Sequence, residues 1–298
     1  MEIVLNSKFF AGLSVEQLGR KAAELGYDGI DVNVRPGHVV DPANAAIALP
    51  EAVKHWQQQG LACPLATAPV GFVDPRNPEA ESLYSACEEA GIPRLKIGFW
   101  RFIPGGEYWR AIDAARAALE GFARLSQRHG VQTCYQVHSG PNLGSNCAGL
   151  MHLIRGFDPQ HVGAYPDTGH LALDGEDWDM GFAMVREHLS IVGIKDAHHA
   201  PQSAGQVPPY ISRFVKLGSG SVDWHRCLGA LRRLGFDGPL SVHTEYNFDE
   251  SVIRQVGYAD TDPPNLEQWA REDVDFLRIV LARVDGEPSA ASAATAET

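Results

Sequence analysis

The chain has 298 residues, of which 44% are hydrophobic, a composition normal for a globular protein. Its 37 acidic and 25 basic side chains give a formal charge of -12, which argues against a nucleic-acid partner because phosphate binding needs clustered Lys and Arg. No run of about 18 apolar residues predicts a membrane span, no signal peptide is visible, and five scattered cysteines predict reduced thiols in a cytoplasmic protein.

Short apolar segments alternate with helical patterns along the whole chain. Strands are predicted at residues 2–6, 30–34, 61–66, 95–99, 131–137, 162–165, 191–194 and 240–244. A capping box, Ser14 with Gln17, begins the first helix. The second helix is predicted from Asp41-Pro42 to about Gln59 and the third from Asn77-Pro78 to near Gly91, and later helices contain Leu119, Leu153, Phe182, Leu228 and Leu277. This alternation predicts an α/β fold, a closed eight-stranded parallel (β/α)8 TIM barrel. An open doubly wound sheet is the alternative, but no Gly-x-Gly-x-x-Gly follows the first strand.

The chain is interpreted as one domain, the barrel, over residues 1–285. Residues 286–298 are rich in Ala, Ser and Thr, and this composition predicts a disordered tail. Segments 198–221 and 247–263 are too long for ordinary connections and predict loops folded over one end of the barrel.

Polar residues follow strands five to eight at the point where each strand ends. In a parallel barrel these ends meet at one open face, where chemistry is concentrated. One pocket is therefore predicted to be lined by Gln136, His138, Asp167, His170, Lys195 and Glu245. A single polar residue of this kind is often structural, and Asp196 is equally explained as a turn cap or a partner of Lys195. Four successive strands with polar ends favour a functional site.

Five stretches, in order, make the chain resemble the xylose isomerase-like barrels, the sugar phosphate isomerase/epimerase family. They are Tyr-Asp-Gly-Ile-Asp at 27–31, Asp-Thr-Gly-His-Leu at 167–171, Ile-Lys-Asp at 194–196, and the segments 217–224 and 238–246. The resemblance runs from about residue 2 to residue 283. It implies the barrel fold and a carbohydrate substrate.

The resemblance also implies a divalent metal ion, Mn2+ or Mg2+, held by Glu, Asp, His and Glu from strands five to eight. By position, the first Glu falls on Gln136, the Asp on Asp167, the His on Gly193 and the last Glu on Glu245. Gln brings no charge and Gly no ligand. His198, or else His138, is a candidate replacement for the missing imidazole. The expected ligand set is thus Gln136, Asp167, Glu245 and His198, with weak binding.

Proton removal next to a carbonyl needs a base and a group that holds the enolate oxygen. Glu245 is the predicted base, its pKa raised by burial beside Tyr246 and His243. Lys195 or a metal ion is predicted to hold the oxygen, and His138 or Lys195 to replace the second carboxylate of related epimerases. The substrate is predicted to contact His170, Trp100, Arg35 and His38. The positive charges of Lys8, Arg35 and Arg101 could bind an anion. The sequence contains no Gly-rich loop of the kind that binds phosphate, so a phosphorylated substrate is not indicated.

Three functions remain open from the sequence. The leading hypothesis is a sugar isomerase or epimerase that transfers a proton next to a carbonyl. A lyase that cleaves 3-keto-glycosides, O- or C-linked, by β-elimination would use the same first step. A sugar-binding barrel without catalysis is the third. In each case the partner is a small carbohydrate, and the sequence leaves open a homo-oligomer or a partner subunit.

Overall fold

The computed structural model describes residues 1–201, 210–246 and 265–286. In chain order its strands are β1 (Ile3–Asn6), β2 (Gly29–Asn33), β3 (Ala62–Thr67), β4 (Arg94–Lys96), β5 (Gln132–Gln136), β6 (Val162–Tyr165), β7 (Val192–Ile194), β8 (Asp196–Pro201), β9 (Tyr210–Val215) and β10 (Leu240–Val242). All eight predicted strands are present, several shorter than expected.

Eight of these strands form one parallel sheet, and β8 pairs with β9 as an antiparallel hairpin. The order within the sheet is β6-β5-β4-β3-β2-β1-β10-β7, which is sequential around a barrel once the hairpin is set aside. The ends of the sheet meet at β6 and β7, where single bridges join Ala164 to Leu189 and Asp167 to Gly193. The predicted parallel barrel is confirmed.

Nine α-helices are described, besides a short 3-10 helix at Ser7–Phe10: α1 (Val15–Leu25), α2 (Ala45–Gln58), α3 (Ala80–Ala90), α4 (Tyr108–His129), α5 (Cys147–Ile154), α6 (Thr168–Asp174), α7 (Trp178–Val185), α8 (Trp224–Arg233) and α9 (Leu266–Asp285). The capping box of Ser14 and Gln17 begins α1 as expected. Helix α6 was not predicted. Within the described ranges, no helix is long and apolar enough to cross a membrane.

Two apolar regions hold the barrel together. The larger lies between the strands and the surrounding helices and contains Leu18, Leu49, Leu119 and Leu228. The smaller consists of Leu65, Cys134, Tyr165 and Ile191. Strands buried on both faces are typical of parallel sheets, and they leave the carboxyl ends of the strands as the place for polar side chains. All five cysteines are buried and free.

The predicted loop at 198–221 is partly wrong, because β8 and β9 pair over Asp196–Pro201 and Tyr210–Val215. The hairpin still borders the open end of the barrel, where the Phe214 ring lies 5.1 Å from that of His170. Segment 247–263 and residues 287–298 of the predicted tail lie outside the described residues. Gly286 ends α9 by donating its N–H to Ala282 and Arg283 carbonyls.

Candidate functional site

A cavity of about 320 Å3 opens at the carboxyl ends of the barrel strands. Its walls carry five cationic side chains, three histidines and a single carboxylate among the described residues: Lys8, Arg35, Lys96, Arg101, Lys195, His138, His170, His243 and Glu245. Gln136 lines it as well. Asp167, also predicted at this pocket, lies directly behind its wall and is fully buried.

Lys195, just after β7, is the centre of the polar network. Its Nζ lies 3.3 Å from Asp167 Oδ2 and 3.2 Å from Glu245 Oε2. The Thr168 hydroxyl fixes its backbone, since it donates to the Lys195 carbonyl at 2.6 Å and accepts from the Lys195 N–H at 2.9 Å. Burial disfavours the ammonium, but the two carboxylates outweigh burial and raise the pKa of Lys195.

Asp167 is positioned by the helix that follows it. It caps the amino terminus of α6, accepting from the His170 N–H at 3.3 Å, and its Oδ2 accepts from Gln136 Nε2 at 2.7 Å. A Cβ on Gly193 would lie 2.7 Å from Asp167 Oδ2. The absence of a side chain at Gly193 therefore gives this carboxylate its space.

Glu245 is held by two lysines. Its Oε1 accepts from Lys8 Nζ at 2.6 Å, while Lys195 faces Oε2. Burial by itself raises the pKa of this carboxyl group, but Lys195 and Lys8 together hold the pKa well below its usual range. The raised pKa expected from the sequence is wrong, because the two ammonium groups stabilise the ionised form more than burial destabilises it.

Hydrogen bonds fix the tautomers of His138 and His170. His170 Nε2 accepts from Lys195 Nζ at 3.2 Å, so its Nδ1–H donates to Ser139 Oγ at 2.9 Å. The His138 Nδ1–H donates to the Gln136 carbonyl at 3.0 Å, which leaves Nε2 as an acceptor. Burial, followed by nearby lysines, lowers the pKa of both rings well below the usual value. Both are therefore neutral near pH 7.

Lys96, at the end of β4, was missed from the sequence. It lines the cavity and is only 3% exposed, and no described carboxylate forms an ion pair with it. Burial, and then the charges of Arg35 and Lys195, lower its pKa to about 7. The signal was a lone lysine between Leu95 and Ile97 in a predicted strand, where period-two alternation turns it away from its apolar neighbours.

Not all of the residues predicted to bind substrate or metal line the cavity. Arg35 lines the cavity, and its buried Nε has no hydrogen-bond partner among the described residues. His38, Trp100 and His198 are half-buried and do not line it. The Trp100 ring stacks on Tyr135 at 5.2 Å, and His198 lies opposite Arg213 in the hairpin. The roles of these three residues stay predictions.

The side chains around Lys195 do not fit a divalent metal ion. The Lys195 ammonium already lies between Asp167 and Glu245, the two expected carboxylate ligands. Gln136 turns an N–H toward Asp167, and position 193 has no side chain. In the described parts of the chain, no three His, Cys, Asp or Glu residues are grouped closely enough to hold a metal ion. The positive charge at this position is that of a lysine.

A curated relative and two solved structures resemble this chain. Inosose dehydratase of Lacticaseibacillus casei is 28% identical over 136 residues, 42% of this chain and 45% of that protein. The chain thus spans less than half the length of this relative. The 3-keto-D-glucoside 4-epimerase from E. coli has a TM-score of 0.68 at 17% identity, covering 94% of this chain and 99% of that one. L-ribulose 3-epimerase has a TM-score of 0.72 at 15% identity, with 95% of each chain covered.

The two structures share the barrel over nearly the entire chain, and at these identities the likeness establishes the fold. The family comparison agrees with it and with the five stretches singled out in the sequence. Residues 20–280 match the family described as xylose isomerase-like TIM barrel. The chain belongs to the xylose isomerase-like TIM barrel family.

Proposed function

We propose that the protein is a sugar epimerase or isomerase that transfers a proton next to the carbonyl of a carbohydrate. The observation that carries the proposal is the Lys195 ammonium, placed in the cavity between the Glu245 and Asp167 carboxylates. An ionised carboxylate beside a fixed cation is the pair that enolisation needs: one removes the proton, and the other stabilises the oxygen that gains charge. The epimerase names of the structural neighbours agree with this chemistry.

Access decides which carboxylate is the base. The Glu245 side chain is 19% exposed and lines the cavity, whereas that of Asp167 is fully buried behind Gln136 and Lys195. Glu245 takes the proton from the carbon next to the carbonyl, and the electron pair moves to the carbonyl oxygen. The Lys195 ammonium donates a hydrogen bond to the resulting enolate. Asp167 and His170 hold Lys195 in position.

The return of the proton determines the product. In isomerisation Glu245 delivers the proton to the former carbonyl carbon on the same face of the enolate, while the hydroxyl group on the carbon that lost the proton passes its own proton to the former carbonyl oxygen and becomes the new carbonyl. Epimerisation needs a proton donor on the opposite face. His138 follows β5, three strands around the barrel from β10, and its Nε2 has no protein partner among the described residues. We assign His138 to this second transfer: its neutral ring takes up a proton from solvent at Nε2 and delivers that proton to the enolate carbon, while Glu245 releases to solvent the proton that it removed.

No divalent metal ion is needed in this scheme. Lys195 supplies one positive charge at the place where the sequence resemblance predicts Mn2+ or Mg2+. The ammonium lies within hydrogen-bonding reach of both carboxylates. A lysine gives less charge than a divalent ion but donates directional hydrogen bonds to the enolate oxygen.

The test is incubation of the full chain with ketohexoses and 3-keto-glucosides in D2O, followed by NMR. Deuterium at the carbon next to the carbonyl, together with a new epimer or isomer, is the expected result. Glu245→Gln should slow the appearance of both signals by roughly 100-fold or more. A protein that binds these sugars without exchanging any proton would be a binding protein, and the proposal would fail.

A lyase is the second candidate, favoured by a specific observation. Glu245 is the single carboxylate that lines the cavity in the described part of the chain. The described cavity therefore lacks the two facing carboxylates that related epimerases use. A β-elimination needs only one base, which removes the proton before the neighbouring substituent leaves. The relative named inosose dehydratase agrees with an elimination. Release of the aglycone from a 3-keto-glucoside, in the same NMR experiment, would select this function.

A further inference from the structure

We infer that the cavity contains a subsite for an anionic group of the substrate, formed by Arg35, Lys96 and Arg101. The ligand would be a keto sugar that carries a carboxylate or a phosphate. The sugar part of this inference rests on the proposed function, whereas the anionic part rests on the charges of the cavity. Arg35 follows β2, Lys96 is the last residue of β4, and Arg101 follows β4. These three residues are called the anion subsite below.

The charge of the cavity is opposite to that of the chain. The protein has a formal charge of -12, yet five cations and one carboxylate line this cavity among the described residues. Lys8 and Lys195 are neutralised locally by Glu245 and Asp167. Arg35, Lys96 and Arg101 form no ion pair with any described carboxylate. Positive charge without a partner is therefore concentrated on one side of the cavity.

Burial makes this arrangement costly without a ligand. Lysine is almost never fully buried unless it is paired, and Lys96 is 3% exposed without an ion-pair partner in the described chain. The buried Nε of Arg35 likewise lacks a hydrogen-bond acceptor there. Buried polar groups in folded proteins are nearly always satisfied. Both observations point to an acceptor supplied by a bound molecule.

The members of the anion subsite line the same cavity, and two of them lie near one aromatic ring. Lys96 Nζ and the Arg101 guanidinium carbon each lie 5.9 Å from the centre of the Phe99 ring. Arg35 lies near enough to be the strongest charge acting on Lys96. Two guanidinium forks and one ammonium match the oxygens of a carboxylate or phosphate. The carbonyl end of the same substrate would then reach Lys195 and Glu245 on the other side.

Anion binding would be linked to a proton on Lys96. Its pKa of about 7 is lowered by burial, by Arg35 and by two lysines, Lys195 and Lys8; Asp31 acts in the opposite direction. His138 and Arg101 line the same cavity as Lys96. An anion would favour the ammonium form. Affinity for the anion should then fall above pH 7, by up to about tenfold per pH unit.

The experiment compares three six-carbon sugars by calorimetric titration of the full chain at pH 6 and pH 8: D-fructose, D-fructuronate and D-fructose 6-phosphate. At least one anion should bind about tenfold or more tightly than D-fructose, the scale of a charge-assisted hydrogen bond. The preferred anion identifies the group as carboxylate or phosphate. Equal affinity for all three sugars would overturn the inference.

Variants locate the subsite. Lys96→Gln and Arg35→Gln should each reduce the ratio of the anion affinity to the D-fructose affinity by about tenfold, and measurable D-fructose binding in each variant shows that the cavity is intact. Arg110→Gln, on the exposed surface of α4, is the matched control and should change nothing. If both cavity variants keep the full preference, the anion binds elsewhere and the subsite is wrong.

Deuterium exchange separates this inference from the proposed function. Preference for an anion without deuterium incorporation in any sugar would leave the subsite standing and refute the isomerase or epimerase. Deuterium incorporation into D-fructose without any preference for an anion would support the isomerase or epimerase and refute the anion subsite.

Discussion

At the residue scale, the two carboxylates beside Lys195 differ in access and therefore in role. Glu245 is held from opposite sides by Lys8 and Lys195 and still contacts the cavity. Its low pKa makes it a weaker base than a buried, isolated carboxyl group would be. In the proposed scheme the barrier to enolisation is then lowered mainly at the oxygen, by Lys195.

Glu245→Gln keeps the shape of the side chain and removes its basicity. We expect kcat to fall by roughly 100-fold or more, the usual scale for loss of a general base, with little change in substrate affinity. Steady-state kinetics and binding measurements check this. Glu51→Gln, on the exposed surface of α2, is the control. Near-normal turnover in Glu245→Gln, together with its loss in His138→Ala, would move the base to His138.

Lys195 rather than a metal ion is expected to hold the enolate oxygen. Activity should survive prolonged dialysis against a chelator and should not rise with Mn2+, because the ammonium already lies between the two carboxylates. Lys195→Met should lower kcat by roughly 100- to 1000-fold, the scale for one oxyanion donor. Metal analysis and kinetics before and after dialysis provide the measurement. Activity lost to the chelator and restored by Mn2+ would contradict this assignment.

The sequence predicted which residues approach the cavity better than it predicted their ionisation. Strand periodicity and the shared barrel end correctly brought Gln136, His138, His170, Lys195 and Glu245 to one cavity. The pKa of Glu245 depends on Lys8, which is 237 positions away in sequence, and no local pattern contains that contact. For Lys96 the period-two alternation of the strand was a local signal, but that its side chain meets this cavity follows only from the closed barrel.

At the element scale, Asp196 illustrates a site-like residue with a structural function. Its buried carboxylate accepts from the N–H groups of Ala197, Gly218, Gly220 and Val222 and from the indole of Trp224. A Cβ on Gly220 would lie 2.1 Å from Asp196 Oδ1, so the turn must contain glycine there. The carboxylate thereby joins β8 to the start of α8, and the turn-cap interpretation of the sequence fits this geometry.

Asp196→Ala should destabilise the fold more than it affects chemistry directly. It would leave several N–H groups without an acceptor, and each buried unsatisfied group costs about 1–3 kcal/mol. We expect a loss of roughly 3–5 kcal/mol in the free energy of unfolding, measured by urea denaturation. Asp223→Ala, at the exposed amino cap of α8, should cost only about 1 kcal/mol. Equal losses in the two variants would show that the buried network contributes little.

Local sequence signals explain which elements were predictable. The barrel strands and the longer helices follow regular apolar periods, and the capping box fixed the start of α1. Helix α6 has only seven residues and begins with Thr-Gly-His, so its apolar period is too short to detect. The sequence predicted a loop where β8 and β9 form a hairpin. The residues between the two strands include Gly205, Pro208 and Pro209, which are typical of loops.

At the scale of the whole molecule, the barrel converts an acidic chain into a cationic cavity. Strands from all parts of the sequence end at the same face, so cations distant in sequence, such as Lys8, Lys96 and Lys195, share one small volume. Such a cluster lowers stability until an anion enters, which is the usual conflict between stability and function in binding sites. Lys96 shows the conflict most clearly, because it is the cavity lysine without an ion-pair partner among the described residues.

Lys96→Met should stabilise the free protein and weaken its preference for anions. The pKa of Lys96 is about 7 in the folded chain and near 10.4 in an unfolded one, so its charge destabilises the fold fully below pH 7. This penalty disappears as the pH rises from 7 to about 10. The variant should therefore gain up to roughly 4 kcal/mol at pH 6 and about half of that at pH 9. Thermal unfolding at both pH values measures the gain, and Lys54→Met, on the exposed surface of α2, should show none. A gain that is equal at pH 6 and pH 9, or a variant that melts earlier than the parent at pH 6, would show that Lys96 is not a strained charge in the free cavity.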